Sequence, residues 1–287
     1  MGKGRPERTF GVMIYQVTLP HPALRPYIKE YLLIDFDFRG LPEVPTKLLP
    51  ARAEQSIIFY PGEAFTKVNA ALHQRRLMPH TLVQGQPLTA WHHHYPRTFS
   101  LVKVIFQPGG LFHLLGGAPM AEFTDAAIDA ECVLVKEMGE VIQQLMNTAR
   151  YAEMIAVVDG YLVQKFRRVR LRPEPIDRMG HWLQAGSRAV SLDYLAGQAC
   201  LSFRQFERKF RERMGVSPKL FMRIARFNKA YALKERAPAR DWLDIALACG
   251  YADYQHMVKD FKQFAGVTPP LFAEAEARSP EHILLLR

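Results

Sequence analysis

The chain has 287 residues, of which 48% are hydrophobic, and its formal net charge is +10 at pH 7. This length suffices for two domains, and no apolar run approaches the ~20 residues that a membrane-spanning helix needs. Residues 1–13 are basic but lack the apolar core of a signal peptide, so we expect a disordered tail. Three scattered cysteines offer neither a disulfide framework nor a metal-binding spacing, which is typical of a cytoplasmic protein.

Short β-strands are predicted for the front part of the chain. Residues 32–38, 55–60, 80–85 and 99–110 are rich in β-branched or aromatic side chains and are bounded by proline and glycine. Such strands, separated by turns, indicate a small β-barrel or sandwich. Five aromatic residues of this region either line a pocket or form ordinary core: Phe59, Tyr60, Trp91, Phe106 and Phe112.

Two amphipathic helices are predicted after the strands. The apolar residues of the first recur at the i, i+3, i+4, i+7 spacing of a helix: Met138, Val141, Ile142 and Leu145. The second spans about 151–166. These helices are suited either to pack on the β-domain or to pair with a second subunit, which leaves a homodimer open. We therefore expect a sensor or dimerisation domain at residues 14–166.

A charged segment with two prolines then interrupts the helical pattern, so we expect a linker at residues 167–175. The residues beyond it are predicted to be helical to about residue 272. This gives an all-helical domain at 176–273 and a C-terminal tail at 274–287.

Positive charge is concentrated in the helical domain. Residues 202–236 contain 11 basic and three acidic side chains, whereas residues 14–164 contain 12 basic and 14 acidic ones. This stripe favours a polyanionic partner for the back half of the chain, the alternative being a solubilising surface.

The helical domain contains an internal sequence repeat. The segments "FRQFERKFRERMGVSPKLF" (203–221) and "YQHMVKDFKQFAGVTPPLF" (254–272) lie 51 positions apart and share six of 19 residues. Ser202 and Asp253 are placed to cap the two helices, Gly215 and Gly266 to end them, and the Ser-Pro and Thr-Pro pairs to start the next ones. A shorter helix, capped by Ser191 or Asp241, precedes each copy. Short helix, tight turn and longer helix make a helix-turn-helix, here in tandem.

The second helix of each unit would enter the major groove of DNA. Its outward residues would then reach base edges and phosphates. In the first copy these residues are Arg204, Gln205, Glu207, Arg208 and Arg211, and in the second they are Tyr254, Gln255, His256, Val258, Lys259 and Lys262. We assign Arg211 and Lys262, with Arg223 and Arg226 on the joining helix, to phosphates and the others to bases.

These segments, with the "IALACGY" (245–251) and "FKQFAGVTP" (261–269) stretches, resemble the AraC/XylS family of bacterial transcription regulators over roughly residues 176–273. The resemblance implies a domain that puts two recognition helices into successive major grooves of promoter DNA. It also implies base contacts at Arg204, Glu207 and Arg208 in the first helix and at Tyr254, Gln255, His256, Val258 and Lys259 in the second. Met257 departs from the family's commoner aromatic residue.

The front half resembles the sensor domains of that family through "PALRPYIKEY" (22–31) and "VIFQPGG" (104–110). This resemblance implies a cupin-like β-barrel that binds a ligand and dimerises. The expected fold is therefore α+β, with a cupin-like barrel and trailing helices before two tandem helix-turn-helix units.

A histidine pattern supports an alternative. His92, His94 and the later His113 are spaced like the metal ligands of cupin enzymes, so the chain could instead be a metal-dependent enzyme or a metal sensor. The glutamate of that motif is replaced by Thr98, and we expect the histidine run to be a loop between strands. We therefore predict no metal, no cofactor and no enzyme activity.

The sequence thus predicts a regulator that binds promoter DNA, responds to a small-molecule effector and, as an activator, contacts RNA polymerase. A nonspecific nucleoid-type binder is a further alternative, which would bind all duplexes with steep salt dependence.

Overall fold

The computed structural model describes residues 13–69, 72–134, 137–184 and 191–285. The predicted tail at 1–13 lies outside these ranges except for Met13. The front part consists of two antiparallel sheets with helices on one side, and the back part is all helical, as the sequence predicts. In the described part of the chain, no helix is both long and apolar enough to cross a membrane.

The strands form two facing sheets. The six-stranded sheet has the order β1 (Met13–Thr18), β2 (Ile28–Asp37), β9 (Thr98–Phe106), β4 (Ser56–Phe59), β7 (Thr81–Gln84) and β10 (Ala127–Asp129). The four-stranded sheet has the order β3 (Thr46–Leu49), β8 (Trp91–His94), β5 (Thr66–Asn69) and β6 (Gln74–Leu77). Among the residues that the structure describes, all strand pairs are antiparallel and the two sheets do not join into a closed barrel.

Four helices follow or interrupt these strands: α1 (Gly110–Leu114), α2 (Ala130–Leu134), α3 (Glu137–Met146) and α4 (Tyr151–Arg167). They pack on the six-stranded sheet, where Leu33 and Val104 share a core with Met138 and Val158. The expectation that the two amphipathic helices pack on the β-domain is therefore confirmed. The predicted strand at 99–110 is too long, because the chain turns at Gly109, with φ +83°, and begins α1.

The helical domain contains α5 (Pro175–Gln184), α6 (Leu192–Gln198), α7 (Phe203–Met214), α8 (Pro218–Arg236), α9 (Trp242–Cys249), α10 (Tyr254–Ala265), α11 (Pro269–Ala277) and α12 (Pro280–Leu285). Its core is built on phenylalanines. Phe227 of α8 contacts Phe261 edge to face with the ring centroids 4.8 Å apart. Phe206 and Phe210 of α7 lie in the same cluster. The central helix α8 thereby joins both repeated units into one body.

A cluster of ion pairs connects the two domains. Arg213 of α7 is buried and bonds Glu174 at 2.6 Å and Asp177 at 3.1 Å. Asp177 also accepts from the His113 ring at 3.1 Å, while Lys209 binds Glu174 at 2.8 Å. Glu174, near the end of the predicted linker at 167–175, thus contacts α7, while Asp177 of α5 connects α7 with α1 of the front domain.

The last helix belongs to the front domain by its contacts. Leu284 of α12 lies in the core with Phe36 and Tyr60, and Glu281 accepts from the Lys47 ammonium at 2.5 Å. The expected tail at 274–287 thus begins inside α11 and ends, in its described part, as a wall of the β-domain.

The turn at Gly215 supports a testable expectation about the domain contact. Its φ is +84°, and a Cβ there would lie 2.6 Å from the Thr124 Oγ1 and 2.8 Å from the Met120 carbonyl. We expect Gly215→Ala to lower the free energy of unfolding by about 1–3 kcal/mol for the backbone alone, with a further loss from the clash.

Gly266 provides the matched control, because its φ is +75° and, apart from Gly266 and its two neighbours in the chain, no described atom lies within 4 Å of the added Cβ. Gly266→Ala should lower the free energy of unfolding by the backbone strain alone, with no contribution from a clash. Urea denaturation of both variants measures the difference, and equal losses would contradict a clash at the domain contact.

Candidate nucleic-acid interface

The first helix-turn-helix unit is formed by α6 and α7. Ser191 accepts from the Tyr194 backbone N–H, and Ser202 forms a complete capping box with Gln205. Leu195 and Ala196 are buried in one cluster with Phe206. Because Ala196 adds so little bulk, the two helices can approach closely, and α7 is held with its polar side outward.

The second unit, α9 and α10, repeats this arrangement. Asp241 and Asp253 accept from backbone N–H groups two and three residues on, both at 2.7 Å. Ile245 and Ala246 share the cluster with Met257, so the methionine that departs from the family pattern fills the expected core position. The helices end at Gly250 and Gly266, both in the left-handed conformation.

The two copies differ in their turns. In both, an alanine carbonyl of the first helix accepts a turn N–H, Leu201 to Ala196 in one and Tyr251 to Ala246 in the other. Ala196 precedes Ser202, the N-cap of α7, by six positions, whereas Ala246 precedes Asp253, the N-cap of α10, by seven. The second turn is therefore one residue longer, which explains why the first helices lie 50 positions apart and the second helices 51.

Most predicted contact residues lie on the outward sides of α7 and α10. The exposed ones are Arg204, Arg208, Arg211, Gln255, Lys259 and Lys262, and the half-buried ones are Glu207, Tyr254 and Val258. No ion pair or side-chain hydrogen bond to another described residue is formed by the six exposed ones. Their donors are therefore available to a partner. Phe203, the first residue of α7, is 41% exposed beside them.

Two other predicted base readers are already engaged. The amide oxygen of Gln205 accepts from the Ser202 backbone N–H at 3.0 Å, which leaves its NH2 group as the outward donor. The His256 ring contacts the Tyr251 ring edge to face and lies with its Nε2 3.3 Å from Arg226. Both residues help to hold the ends of the recognition helices in place.

Arg223 and Arg226 differ most from the expected phosphate role. Both bind the buried carboxylate of Asp260 on α10, at 2.6 Å and 3.0 Å. Arg226 also lies over the Tyr251 ring, 4.1 Å from its centroid. The two guanidinium groups therefore fix α10 against α8, and the cluster of two arginines and one aspartate retains one positive charge.

The alternative metal site is not assembled. His92 and His94 lie on strand β8, not in a loop, and their register neighbours across the sheet are Leu48 and Thr46. His113 is buried on α1, where its Nε2 pairs with Asp177. Among the described residues, no group of three or more His, Cys, Asp or Glu side chains is arranged to hold a metal ion.

The aromatic residues considered as pocket lining are divided by the fold. Phe59, Phe106 and Phe112 belong to the core beneath the helices, and Trp91 lines a surface depression. Tyr60 lines a cavity of about 230 Å³ between the two sheets. Three basic residues of this cavity escaped the sequence analysis, namely Lys47, Lys67 and His93. The available signal was a lysine or histidine in the middle of each of three short strands.

Comparison with known proteins agrees with this geometry. A family model described as a helix-turn-helix domain matches residues 195–275. A second model, described as a domain of unknown function (DUF6597), matches residues 16–129. The HTH-type transcriptional regulator ArgR of Pseudomonas aeruginosa is 29% identical over 80 residues. That match covers 28% of this chain and 24% of ArgR, so the chain spans about a quarter of that relative.

Two solved structures are also similar. ToxT from Vibrio cholerae is 9% identical, with a TM-score of 0.49 over 85% of this chain and 97% of that chain. The DNA-binding domain of AdpA, in complex with a target DNA, is 25% identical, with a TM-score of 0.35 over 38% of this chain and 99% of that chain.

The capped and tightly turned helix pairs, together with the family match at 195–275, define a tandem helix-turn-helix domain. The helix-turn-helix part of the resemblance drawn from the sequence therefore agrees with a family model over residues 195–275.

Proposed function

We propose that this protein is a cytoplasmic activator of transcription that reads two successive major grooves of promoter DNA with α7 and α10. Its front domain responds to a small-molecule effector, and its back domain contacts RNA polymerase. The observation that carries the proposal is the repeated presentation of unpaired Arg, Gln and Lys side chains on two recognition helices fixed to one core. Such side chains match the acceptors of guanine and adenine in the major groove.

The proposed contacts divide by role. Base edges are read by Arg204, Gln205, Glu207 and Arg208 in one half-site and by Tyr254, Gln255, His256, Val258 and Lys259 in the other. Arg211 and Lys262 bind phosphates, which sets position and not sequence. Arg223 and Arg226 bind phosphate with the one charge that Asp260 leaves uncompensated. Glu207 accepts from a cytosine amino group and repels phosphate, so its place on the reading face opposes a purely nonspecific binder.

Selection of binding sites from a random duplex library tests the proposal. The full-length protein is the right sample, because α12 and the Arg213 cluster tie the helical domain to the front domain. We expect a motif of two halves about one helical turn apart, ~10 base pairs, at near-physiological salt. A library that stays unenriched while binding falls steeply with salt would overturn sequence-specific reading.

Single substitutions then assign each half-site. Arg208→Ala should lose about 1–3 kcal/mol of discrimination at one position of the half read by α7. Lys259→Ala should do the same only in the half read by α10. Arg75→Ala, which removes an exposed charge from edge strand β6 of the front domain, is the control and should leave the motif intact. Uniform losses at all positions from both recognition-helix variants would contradict the assignment.

Transcription from a template that carries the selected site tests activation. We expect purified RNA polymerase to initiate more often with the protein than without it. A decrease would show a repressor, and a light-scattering mass of the protein on and off the duplex would show whether two copies bind. Site selection measures DNA binding without any effector. Its result therefore does not depend on whether the front domain binds one.

A further inference from the structure

The inner face of the four-stranded sheet carries an unusual row of basic side chains. In the strand register, Lys47 of β3 lies directly opposite His93 of β8, which in turn lies opposite Lys67 of β5. All three are at least nine-tenths buried. They line the cavity of about 230 Å³ between the sheets, and Lys103 of β9 faces them from the other sheet.

This row opposes stability in the isolated protein. Burial removes the water that would solvate these basic groups, which is unfavourable for any of them that is charged and unpaired. Desolvation, aided by repulsion from Lys103, lowers the pKa of Lys67 to about 7. Burial and the surrounding lysines hold the pKa of His93 well below its ordinary range, so its imidazole is neutral.

Two of the lysines have partners. Lys47 binds Glu281 of α12 at 2.5 Å, with Glu276 at 3.8 Å, and Lys103 binds Glu54. Within the described residues Lys67 forms no ion pair, and the nearby Lys103 lowers its pKa further. The His93 Nε2 is also buried and, in the described part of the chain, has no hydrogen-bond partner. The Lys67 ammonium and the His93 Nε2 thus face the cavity without a hydrogen-bond or ion-pair partner among the described residues.

We propose that this cavity binds a small organic monocarboxylate, whose oxygens accept hydrogen bonds from the Lys67 ammonium and the His93 Nε2–H. The proposal deepens the proposed function, because it names the chemical class of the effector. Apolar residues of the facing sheet, Leu32, Ile58 and Leu101, enclose the body of the ligand. A single uncompensated lysine calls for a single negative charge, since a buried charge is stable only when it is paired.

The volume limits the ligand further. Pockets for drug-sized ligands measure about 300–1,000 Å³, and this cavity is smaller. Glu281 forms part of its wall and already holds Lys47. A ligand carboxylate at Lys67 would therefore give the second lysine of the row a carboxylate partner, as Glu281 does for Lys47.

Calorimetric titration of the full-length protein tests the site with defined probes. Hexanoate and cyclohexanecarboxylate are compared with hexanamide and cyclohexanecarboxamide, which match them in shape but carry no charge. We expect each carboxylate to bind at least tenfold more tightly than its amide. Inorganic phosphate is the third arm and should bind at least tenfold more weakly than the carboxylates, because it lacks the apolar body.

Lys67→Met is the decisive variant, with Arg75→Met as the control that removes the same charge from the outer surface of β6. Lys67→Met should weaken carboxylate binding at least tenfold and leave amide binding unchanged, while Arg75→Met should change neither. His93→Phe should reduce carboxylate affinity while keeping the ring contacts with Phe65 and Tyr95.

Proton uptake supplies a second readout. Near pH 7 an anion beside Lys67 favours its charged form, so binding should take up a fraction of a proton, measured by titration in two buffers of different ionisation enthalpy. The other charged or titratable groups that line the cavity are Tyr15, Lys29, Glu30, Lys47, Arg52, Glu54, Tyr60, Tyr95, Lys103 and Glu281.

Several outcomes would overturn the site. These are equal binding of carboxylates and amides, the absence of binding by every carboxylate, equal losses in the Lys67 and Arg75 variants, or phosphate binding as tightly as the carboxylates. DNA-site selection by the same samples distinguishes this failure from failure of the proposed function. An enriched motif with an inert cavity refutes only the effector class.

Discussion

Replacing Asp260 with alanine is expected to lower the free energy of unfolding by about 3–5 kcal/mol, the usual cost of breaking a buried ion pair by removing one partner. Asp260 is fully buried and binds both Arg223 and Arg226, whose side chains are themselves partly covered. Without the carboxylate, two guanidinium groups stay close together between α8 and α10. Guanidinium chloride denaturation followed by circular dichroism measures the change.

Glu274→Ala is the control for this prediction, because Glu274 is an exposed carboxylate on α11 of the same domain. It should cost under ~0.5 kcal/mol, as surface substitutions do. A triple variant that combines Asp260→Ala with methionine at Arg223 and Arg226 should recover part of the loss, since apolar replacements of a whole buried cluster are often tolerated. If Asp260→Ala and Glu274→Ala lose equally little, the cluster does not hold α10.

Lys67→Met is expected to raise stability at neutral and acid pH. The pKa of Lys67 is about 7 in the folded protein and 10.5 ordinarily. The difference of 3.5 corresponds to about 4–5 kcal/mol, as an order of magnitude. The cost of keeping Lys67 charged is fully present below pH 7, where both folded and unfolded chains carry the proton. It decreases as the pH rises towards 10.5, because only the unfolded chain still binds that proton.

The gain from Lys67→Met should therefore be largest near pH 6 and shrink steadily towards pH 10. Thermal denaturation at a series of pH values measures it, with Arg75→Met as the exposed control. The curves of wild type and Arg75→Met should run parallel. A gain that stays constant with pH would show that the methionine improves packing, and would contradict a charge cost at Lys67.

Local signals explain why the helical domain could be predicted closely. Caps such as Ser202 and stops such as Gly215 act within a few residues of one another, so the sequence shows them directly. The four-stranded sheet shows the opposite case. Its strands are four residues long and include "QRRL" and "WHHH", which lack the β-branched alternation that identifies strands. Only pairing across the sheet makes them strands.

In the candidate nucleic-acid interface, too, only the features with local sequence signals could be predicted. Arg208 and Lys259 could be placed from helical periodicity alone, because they lie opposite the buried stripe. Asp260 and Arg213 could not, since charged residues are rarely buried and their partners lie 34–39 positions away in the chain. A signal was available in the repeat itself. Arg213 occupies the position of Phe264, 51 residues later, so a core position carries a charge.

The placement of α12 affects the order in which the molecule can be completed during synthesis. The last strand of the front domain ends at Asp129, and Leu284, which completes its core, follows 155 residues later. At about 5–20 residues per second, the ribosome needs roughly 8–31 s to make that stretch. During this interval the nascent front domain lacks one wall, and the lysine row is open to water. The front domain therefore matures last, although its strands are made first, and a chain that stops before α12 leaves it unfinished.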